Sequence, residues 1–545
     1  MSTTQRSRVT IGFGAGAGVV LALAAGIAPA AAVDPVDLED RVTVAAIRAH
    51  LQAFQEIAGE NGGNRAAGTS GYEASAAYIE AALTAAGYTP LRQHFEADVQ
   101  EIQEYTFAVD GFTFTDDEDG DGTPDPLGVP MEFTPSTPAG GIADVPIVAP
   151  TVAIGCTAAD WDGADPTGAI ALVSRGDCTF GEKVTTAAAL GAVAVIVYNH
   201  EAGPLNGTLG EQTPDLVPAV GILQSQGASI LAALSSGAVT ADLNLQQTVT
   251  AVDTFNVIAD TPTGRTDNTV MVGAHLDSVP EGPGINDNGS GSAAILEIAL
   301  QLAASGELEN QVRFAWWGAE EVGLLGSTHY VDDLAANDEA ELDEIATYLN
   351  FDMVASPNYV ISVYDANEST YPAPVVVPEG SVATEAVFTD YFDAIGQPWI
   401  DTEFDGRSDY QAFIAAGIPA SGLFTGADDE KTAEQVALFG GTAGIPQDPN
   451  YHTPQDDLAN VNDEGLGIML GAMAFVTASL ANDTSAINGV QPVVDPVAPP
   501  EVTEEGSHLL AASGADAPGV WIAGGVLALL LGAVALRASR RRTAA

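Results

Sequence analysis

Two histidines and four carboxylic acids in the second half of the chain have side chains that could bind a metal ion or transfer a proton. These residues are His275, Asp287, Glu320, Glu321, Asp352 and His452. Imidazole and carboxylate groups bind metal ions and transfer protons. Such a set without thiolates suits Zn²⁺, with Mn²⁺ or Co²⁺ as alternatives. Each residue alone could equally be an ordinary surface or core side chain, so the case depends on whether they converge.

The elements around these residues predict that convergence. Short apolar runs end at Ala274, Trp317 and Phe351, and segments with helical spacing separate the runs. Strands that alternate with helices predict an α/β domain with a mostly parallel sheet covered on both faces. Loops at the carboxyl ends of such strands lie along one rim of the sheet, where sites form.

Adjacent carboxylates in this set favour a site for two metal ions. Glu320 and Glu321 follow a predicted strand and would repel each other unless a metal ion or a proton relieved the charge. Asp287 lies in the glycine-rich string Gly284–Gly291, which allows a turn back toward the strand ends. The set has one more carboxylate than a single ion requires, which predicts two ions with a shared ligand. Two such ions can bind an attacking hydroxide and polarise a carbonyl group.

The composition excludes several other classes of protein. The 545 residues are enough for two or three domains. With 74 acidic and 16 basic residues the formal net charge is −58, which makes nucleic acid and anionic membrane surfaces poor partners, because both need a basic surface. Two cysteines exclude a disulfide-rich scaffold, and 46% hydrophobic residues argue against wholesale disorder. We expect most of the acids to form a solvated surface.

Residues 1–32 predict a secretory signal. Arg6 and Arg8 give a positive start, an apolar stretch runs from Val9 to Ile27, and alanines at 30–32 offer a cleavage site. Mature protein would then begin near Val33 and be exported. An uncleaved membrane anchor is the alternative.

The other end of the chain predicts an anchor. Gly519–Leu536 is an uninterrupted apolar run that can span a bilayer, and the arginines after it would keep the tail on the cytoplasmic side. Leu510–Gly514 resembles the sortase sorting signals of Gram-positive bacteria, with Ser513 in place of the usual threonine. The resemblance implies a sortase and the cell wall as partners, with a simple membrane anchor as the alternative. Both place the body outside the cell, with 486–509 as a linker.

The segment 101–248 differs from its flanks, because it is rich in short β-type runs, Gly and Pro. The string Gly168–Phe180, followed by Lys183 and the segment 187–199, resembles the protease-associated (PA) domain. The resemblance covers about 135–246 and implies a small, β-rich, non-catalytic module inserted into the main domain.

Two smaller features of this segment each leave two interpretations open. In an exported chain Cys156 and Cys178 are expected to form a disulfide, with a pair of free thiols as the alternative. An acidic loop offers oxygen ligands at alternate positions, but Gly128 stands where a calcium loop has its bidentate glutamate. The loop is therefore either a Ca²⁺ site or a solvated acidic turn. Its candidate ligands are Asp117, Asp119, Asp121 and Asp125.

The strings around the six candidate residues resemble the two-zinc aminopeptidases of metallopeptidase family 28, of the aminopeptidase S and bacterial leucyl aminopeptidase type. The matching strings are Ala274–Ser278, Gly284–Gly291, Glu320–Ser327, Asn350–Met353, Tyr451–Thr453, Gly406–Tyr410 and Thr425–Ala427. The resemblance covers about 40–95 and 250–482. It implies an α/β zinc-peptidase fold, with a mixed, mostly parallel sheet sandwiched by helices and with the PA domain inserted.

The combined domain prediction has six parts. They are a signal peptide at 1–32, peptidase segments at 33–100 and 249–485, the insert at 101–248, the linker at 486–509, and the sorting signal, membrane span and basic tail at 510–545.

The resemblance implies a ligand set for two zinc ions. His275 and Asp352 would bind one ion, and Glu321 and His452 the other. Asp287 would bridge the two ions.

The resemblance also implies roles beyond the ligands. Glu320 would take a proton from a metal-bridging water and pass it to the leaving amine. Tyr451 would donate a hydrogen bond to the tetrahedral oxyanion. Asp277 would orient His275 by a contact behind the ligand. The segment at Arg407 would help to hold the free α-amine of the substrate.

The function that these features predict is removal of N-terminal residues from extracellular peptides that have a free N-terminus. A related zinc hydrolase is the first alternative: a carboxypeptidase, a dipeptidase or a glutaminyl cyclase. The string Gly406–Tyr410 favours the aminopeptidase. A non-catalytic surface receptor is the second alternative, and the complete ligand set argues against it.

Overall fold

The computed structural model describes residues 32–114, 127–200, 205, 207–210, 212–373 and 375–493. Several predicted features fall outside these residues. They are the signal peptide up to Ala31, the calcium loop with Asp117, Asp119, Asp121 and Asp125, most of the linker 486–509, the sorting signal Leu510–Gly514 and the apolar run Gly519–Leu536. The candidate metal ligands and both cysteines lie within the described part.

Strands and helices are numbered separately in chain order. The strands are β1 (Leu91–Val109), β2 (Val129–Pro130), β3 (Ile142–Val148), β4 (Ile170–Ser174), β5 (Ala194–Tyr198), β6 (Ala219–Ile222), β7 (Thr240–Asp260), β8 (Arg265–His275), β9 (Asn310–Trp317), β10 (Ile345–Phe351), β11 (Ser362–Tyr364), β12 (Ile400–Thr402) and β13 (Ala420–Phe424). The helices are α1 (Pro35–Arg41), α2 (Val44–Glu60), α3 (Ser70–Ala86), α4 (Phe180–Ala189), α5 (Gln224–Leu234), α6 (Gly289–Ala303), α7 (Leu325–Asn337), α8 (Glu339–Asp343), α9 (Ser381–Ile395), α10 (Tyr410–Ala415), α11 (Ala433–Phe439), α12 (Asp463–Asn482) and α13 (Ser485–Asn488).

The main sheet has a parallel centre with antiparallel flanks. β9, β8, β10 and β13 lie side by side in parallel. β11 is antiparallel to β13 on one side, and β7 is antiparallel to β9 on the other. His275 pairs with Trp317 at the carboxyl ends of β8 and β9, so the loops that follow them start side by side. The predicted mixed, mostly parallel α/β fold is confirmed.

Side chains of β8 alternate between two hydrophobic cores. Val270 and Val272 pack in the core that contains α2, α6 and α12, whereas Met271 packs on the other face with side chains of α7 and α10. Burial of both faces explains why the run is continuously apolar instead of alternating with polar residues.

Helix α12 fills the centre of the first core. Among the described residues it is the one helix long and apolar enough to cross a membrane, but most of it is buried within the protein. Asn462 caps it, because its side-chain oxygen accepts from the backbone N–H groups of Glu464 and Gly465. The helix is therefore part of the folded core.

A long antiparallel ribbon joins the main sheet to the insert. β1 pairs with β7 from Leu91 opposite Ile258 to Val109 opposite Ala241. β7 also pairs with β9 of the main sheet and with β3 of the insert. The predicted insert boundary at 101 therefore falls inside a continuous strand, where no turn residue marks it.

The insert contains helices that the sequence prediction missed. β3, β4, β5 and β6 form a parallel sheet, with β2 antiparallel at its edge. α4 packs on one face of this sheet and α5 on the other. Thr179 and Glu182 form a reciprocal capping box at the start of α4.

The predicted disulfide between Cys156 and Cys178 is present. It ties the loop after β3 to the loop after β4. Lys183 of α4 donates from Nζ to the carbonyl oxygens of Ile154 and Gly176, at 2.9 and 2.7 Å. One covalent link and two hydrogen bonds therefore hold these loops.

Two element boundaries differ from those expected. The resemblance over 40–95 treats this region as one segment of the peptidase domain, but α3 ends at Ala86, because Gly87 adopts a left-handed conformation with φ of 99°, and strand β1 follows. At the other end Ile487 of α13 packs in the main core, so the folded body extends past the predicted start of the linker at Ala486.

Replacing both cysteines with serine should destabilise the insert by about 3 kcal/mol, because the cross-link restricts the unfolded chain. Hydrogen exchange measured by mass spectrometry should become faster in β4 and α4 and stay unchanged in β8. Equal acceleration in β8 would contradict a local effect of the disulfide.

Candidate metal centre

The loops after the central strands bring the five predicted metal ligands into two overlapping groups. One group is His275, Asp287 and Asp352, and the other is Asp287, Glu321 and His452. Within each group the ligand atoms lie within 4.8 Å of one another. Asp287 belongs to both groups, as the predicted bridging ligand should.

The two carboxylate oxygens of Asp287 face different histidines. Oδ1 lies 3.2 Å from Nε2 of His275, and Oδ2 lies 3.2 Å from Nε2 of His452. Nε2 of His275 also lies 3.3 Å from Oδ1 of Asp352, and Nε2 of His452 lies 3.0 Å from Oε2 of Glu321. Each histidine therefore shares a small space with two carboxylates.

The donor set fits divalent cations. Oε1 of Glu321, Oδ1 of Asp352 and Nε2 of His452 are buried, and the short contacts of the last two with neighbouring ligands do not have the geometry of hydrogen bonds. Among the described residues, the ion-pair partners of these carboxylates are histidines, not lysines or arginines. Burial, with repulsion from Asp287, raises the pKa of Glu321 to about 7. Buried acids with open oxygens and no permanent cation are expected of a metal site.

Glu320 stands beside the first group without belonging to either. Its carboxylate is buried, and Oε2 lies 3.9 Å from Nε2 of His275. Burial raises the pKa of Glu320 well above its ordinary value, and repulsion from Asp352 adds to this rise. A carboxyl group with a raised pKa beside the ligands is suited to accept and return a proton.

Asp277 has a contact that the sequence prediction did not anticipate. Its carboxylate accepts hydrogen bonds from the backbone N–H groups of Glu320 and Glu321, at 3.2 and 3.3 Å. Nδ1 of His275 lies 3.1 Å from the backbone carbonyl oxygen of Asp277 and 3.7 Å from its carboxylate Oδ1. Asp277 therefore contacts the expected histidine and also holds the turn that carries both glutamates.

Two residues to which the sequence prediction gave no role hold Asp352 of the first ligand group. Oγ of Ser408 donates to Oδ2 of Asp352 at 2.6 Å and accepts from Nδ2 of Asn350 at 2.9 Å. This leaves Oδ1 of Asp352 directed at His275. The serine belongs to the string Gly406–Tyr410, but a linear sequence does not show its contact with Asp352.

Arg65 supports the loop between β8 and α6 from inside the core. Its guanidinium is fully buried and donates to the carbonyl oxygens of Leu276, Pro283 and Gly284. Its backbone N–H donates to Oγ of Ser278 at 2.9 Å. Arg65 lies in the loop between α2 and α3, where no sequence pattern distinguishes a buried arginine from an exposed one.

Residues of the ligand loops adopt strained backbone conformations. Ala319, Met353 and His452 have φ of 58°, 47° and 57°. A non-glycine residue in this left-handed region costs about 1–3 kcal/mol and persists only where the surroundings enforce it. Such strain at the ligand His452 and directly beside Asp352 and Glu320 is typical of functional sites.

A cavity of about 300 Å³ opens over the metal ligands. Tyr451 and Arg407, the predicted oxyanion donor and substrate-binding residue, line it. Tyr451 stacks on His452 with ring centroids 3.8 Å apart. Nη1 of Arg407 lies 3.1 Å from Oδ1 of Asp428, so this guanidinium is paired with an acid of the cavity wall.

The insert contributes to the same cavity. Arg175 and Asn199 line it together with the metal ligands, and Nη1 of Arg175 donates to Oδ1 of Asn199 at 3.3 Å. Arg175 lies in the loop that Lys183 and the Cys156–Cys178 disulfide hold. The module predicted to be non-catalytic thus forms part of the wall around the candidate site.

The chain matches two family models, Peptidase family M28 over residues 256–477 and PA domain over residues 143–230. It is similar to the probable lipoprotein aminopeptidase LpqL of Mycobacterium tuberculosis, with 42% identity covering 86% of this chain and 91% of the relative. Two solved structures share its fold. The aminopeptidase from Aneurinibacillus sp. strain AM-1 has a TM-score of 0.62 at 27% identity, covering 85% of this chain and 99% of that chain. BSAP, a zinc aminopeptidase from Bacillus subtilis, has a TM-score of 0.54 at 28% identity, covering 81% and 95%.

Replacing Arg65 with methionine should lower the free energy of unfolding by about 3 kcal/mol, because three buried carbonyl oxygens lose their donor. Chemical denaturation would measure the loss. The matched control is Arg48→Met, because the partly exposed Arg48 donates to the carbonyl oxygens of Leu458 and Val461. Its loss should be smaller, and equal losses would argue against a special role for Arg65.

Proposed function

This chain belongs to peptidase family M28 and is a zinc aminopeptidase, and we propose that it removes residues one at a time from free peptide N-termini with two metal ions bridged by Asp287. The observation that carries this proposal is the pair of overlapping ligand groups, with Glu320 beside them at one cavity. Each group offers one histidine and one carboxylate of its own and shares Asp287.

The proposed ligand assignment follows the two groups. His275 and Asp352 hold one ion, and Glu321 and His452 hold the other. Zinc ions in such a site supply Lewis acidity, which activates water and polarises a carbonyl group.

Glu320 is the proposed general base and acid. Its carboxylate is buried beside His275, and its raised pKa makes it able to take a proton from the attacking water and donate it to the leaving amine. The hydrogen bond from its backbone N–H to Asp277 fixes the turn from which it extends.

Tyr451 is the proposed donor to the carbonyl oxygen of the scissile bond. Burial raises the pKa of its phenol well above the ordinary value, so the hydroxyl stays protonated and can donate. Stacking on His452 keeps the ring next to the second ligand group. A donor held there can stabilise negative charge as it develops on the oxygen.

The cavity walls suit a peptide end. A space of about 300 Å³ accommodates one terminal side chain better than the middle of an extended chain. The ammonium group of a free N-terminus is attracted by carboxylates, and Glu320 and Asp352 line the cavity. The segment at Arg407 is proposed to help hold this amine indirectly, because the guanidinium, itself a cation, pairs with Asp428 and keeps the cavity wall in place.

The proposed substrates are extracellular peptides. The positive start and apolar stretch of 1–32 support export, and the relative LpqL is named a lipoprotein aminopeptidase. Anchoring through Leu510–Gly514 to the cell wall by a sortase, or through Gly519–Leu536 in the membrane, is proposed from the sequence. A net charge of −58 argues against nucleic acid as a partner.

A substrate panel tests the proposed activity. We expect aminoacyl nitroanilides and peptides with free N-termini to be hydrolysed, N-blocked peptides to resist, and a chelator to abolish turnover until zinc is restored. Activity on blocked peptides alone would favour another hydrolase of the family. Activity indifferent to the chelator would contradict zinc dependence.

The variant Glu320→Gln tests the assignment of base and ligands. It should keep its zinc and lose about 10²–10⁴-fold in kcat, because the amide cannot accept the proton. Metal content by atomic emission and kcat measured on leucyl nitroanilide give the two readouts. Glu339→Gln, on the exposed helix α8, serves as the control and should match the unmodified protein. Loss of zinc in Glu320→Gln would mean that Glu320 is a ligand.

A further inference from the structure

Two buried carboxylates near the metal centre belong to neither ligand group. Asp448 and Asp456 are each 1% exposed. They do not line the cavity and so do not meet substrate. A buried carboxylate is retained only where its interactions offset the cost of burial, so their contacts indicate what they do.

The carboxylate of Asp456 accepts hydrogen bonds from two successive backbone N–H groups. Its Oδ1 accepts from the N–H of Asn286 at 2.8 Å, and its Oδ2 accepts from the N–H of Asp287 at 2.9 Å. The N–H of Ile285 donates to the backbone carbonyl oxygen of Asp456 at 3.0 Å. Three successive N–H groups that end at the bridging ligand are therefore bound to one residue.

Asp448 supports this arrangement through a shared amide. Nδ2 of Asn460 donates to Oδ1 of Asp456 at 3.0 Å and to Oδ2 of Asp448 at 2.9 Å. Nδ2 of Asn286 donates to Oδ2 of Asp448 at 2.6 Å. The amide of Asn460 thus contacts both carboxyl groups, and Asn286 contacts Asp448 through its side chain and Asp456 through its backbone N–H.

The same network reaches the loops of the other ligands. Asp448 and Asp456 lie on either side of His452 in the sequence, so the loop that carries this ligand is bound at both ends. Oδ1 of Asn286 accepts from the N–H of Ala355 at 3.1 Å, in the loop that follows Asp352. Loops that carry ligands of both groups therefore meet at Asn286 and its two acidic partners.

We propose that Asp456, supported by Asp448, is a positioning residue that sets the orientation of the Asp287 carboxylate between the two metal ions; this inference rests on the proposed function. The two oxygens of Asp287 each lie 3.2 Å from a different histidine. A tilt of this carboxylate toward one histidine moves an oxygen away from the other. Asp456 therefore governs the affinity of both metal sites together.

A carboxylate is needed at position 456 because every group around it donates. Asparagine has the same shape, but its NH₂ group would face either the N–H of Asp287 or the N–H of Asn286 together with Nδ2 of Asn460. In each orientation a donor meets a donor, and the backbone next to the bridging ligand loses a hydrogen bond.

The experiment compares zinc binding by the full chain with that by the variant Asp456→Asn. We expect zinc affinity, measured by competition with a chromogenic chelator, to fall about 10-fold to 100-fold for both ions. The visible absorption spectrum of the cobalt-loaded variant should differ from that of the unmodified protein even at saturating Co²⁺. At saturating zinc kcat should fall while KM for leucyl nitroanilide stays the same, because Asp456 does not line the cavity.

The matched control is Glu297→Gln on α6. Glu297 is 7% exposed and accepts from Nε2 of Gln301 at 2.8 Å, but it contacts none of the proposed ligands. This variant should change stability without changing zinc affinity or the cobalt spectrum. If Asp456→Asn behaves in the same way, the network serves stability alone and the proposal is wrong.

A second variant covers the case in which Asp456→Asn does not fold. Asp448→Asn acts one amide further from Asp287 and should show a smaller loss of zinc affinity with the same change in the cobalt spectrum. Failure of both variants to fold with saturating zinc would make the network a folding element and overturn the positioning role.

The outcomes separate this inference from the proposed function. If Asp456→Asn weakens zinc binding but the unmodified protein hydrolyses no aminoacyl substrate, the proposed function is wrong and the inference stands. If the unmodified protein is active but Asp456→Asn binds zinc as tightly as it does, the inference is wrong and the proposed function stands.

Discussion

Repulsion between buried carboxylates is the constraint that the centre of this molecule has to satisfy. Asp287, Glu320, Glu321 and Asp352 are brought together where the dielectric constant is low, and like charges there raise the free energy of folding. Metal ions offset this cost only if the carboxylates stay in the right orientation. The structure provides a separate hydrogen-bonding clamp for each part of the set: Asp456 for Asp287, Asp277 for the turn of the two glutamates, and Ser408 for Asp352.

These clamps explain why a parallel sheet alone does not make the site. The strand order places the starts of the loops side by side at one edge, which fixes approximate positions. The orientation of the ligand side chains comes from hydrogen bonds between loops, in which a residue of one loop bonds to the backbone or a side chain of another. Arg65 adds a contact from a more distant segment, since it binds three carbonyl oxygens of the β8–α6 loop. The ligand loops are consequently tied to one another and to the core.

Sequence patterns predicted the parts of this arrangement that depend on periodicity and residue type. Apolar runs followed by His275, Glu320 and Asp352 predicted both the sheet and the edge where ligands gather. The patterns could not predict Arg65 or Asp456, because a buried arginine and a buried aspartate look like surface residues in a linear sequence. Nor could they place the insert boundary, because β1 and β7 run through it without a turn. The helices of the insert were missed among short apolar segments that suit strands equally well.

The β1–β7 ribbon also dictates an order of events as the chain folds. Leu91 pairs with Ile258, and the whole insert lies between them in sequence. During synthesis from the N-terminus, β1 exists long before its partner, so it waits unpaired until residues beyond Thr240 have been made. Contacts of such wide sequence separation form slowly. Once β7 has been made, an insert that is already folded shortens the search for the partner strand, since it brings Val109 and Ala241 together and lets the ribbon close from that end. The insert, which lines the cavity in the folded protein, would then first help β1 and β7 to pair in the sheet that carries the site.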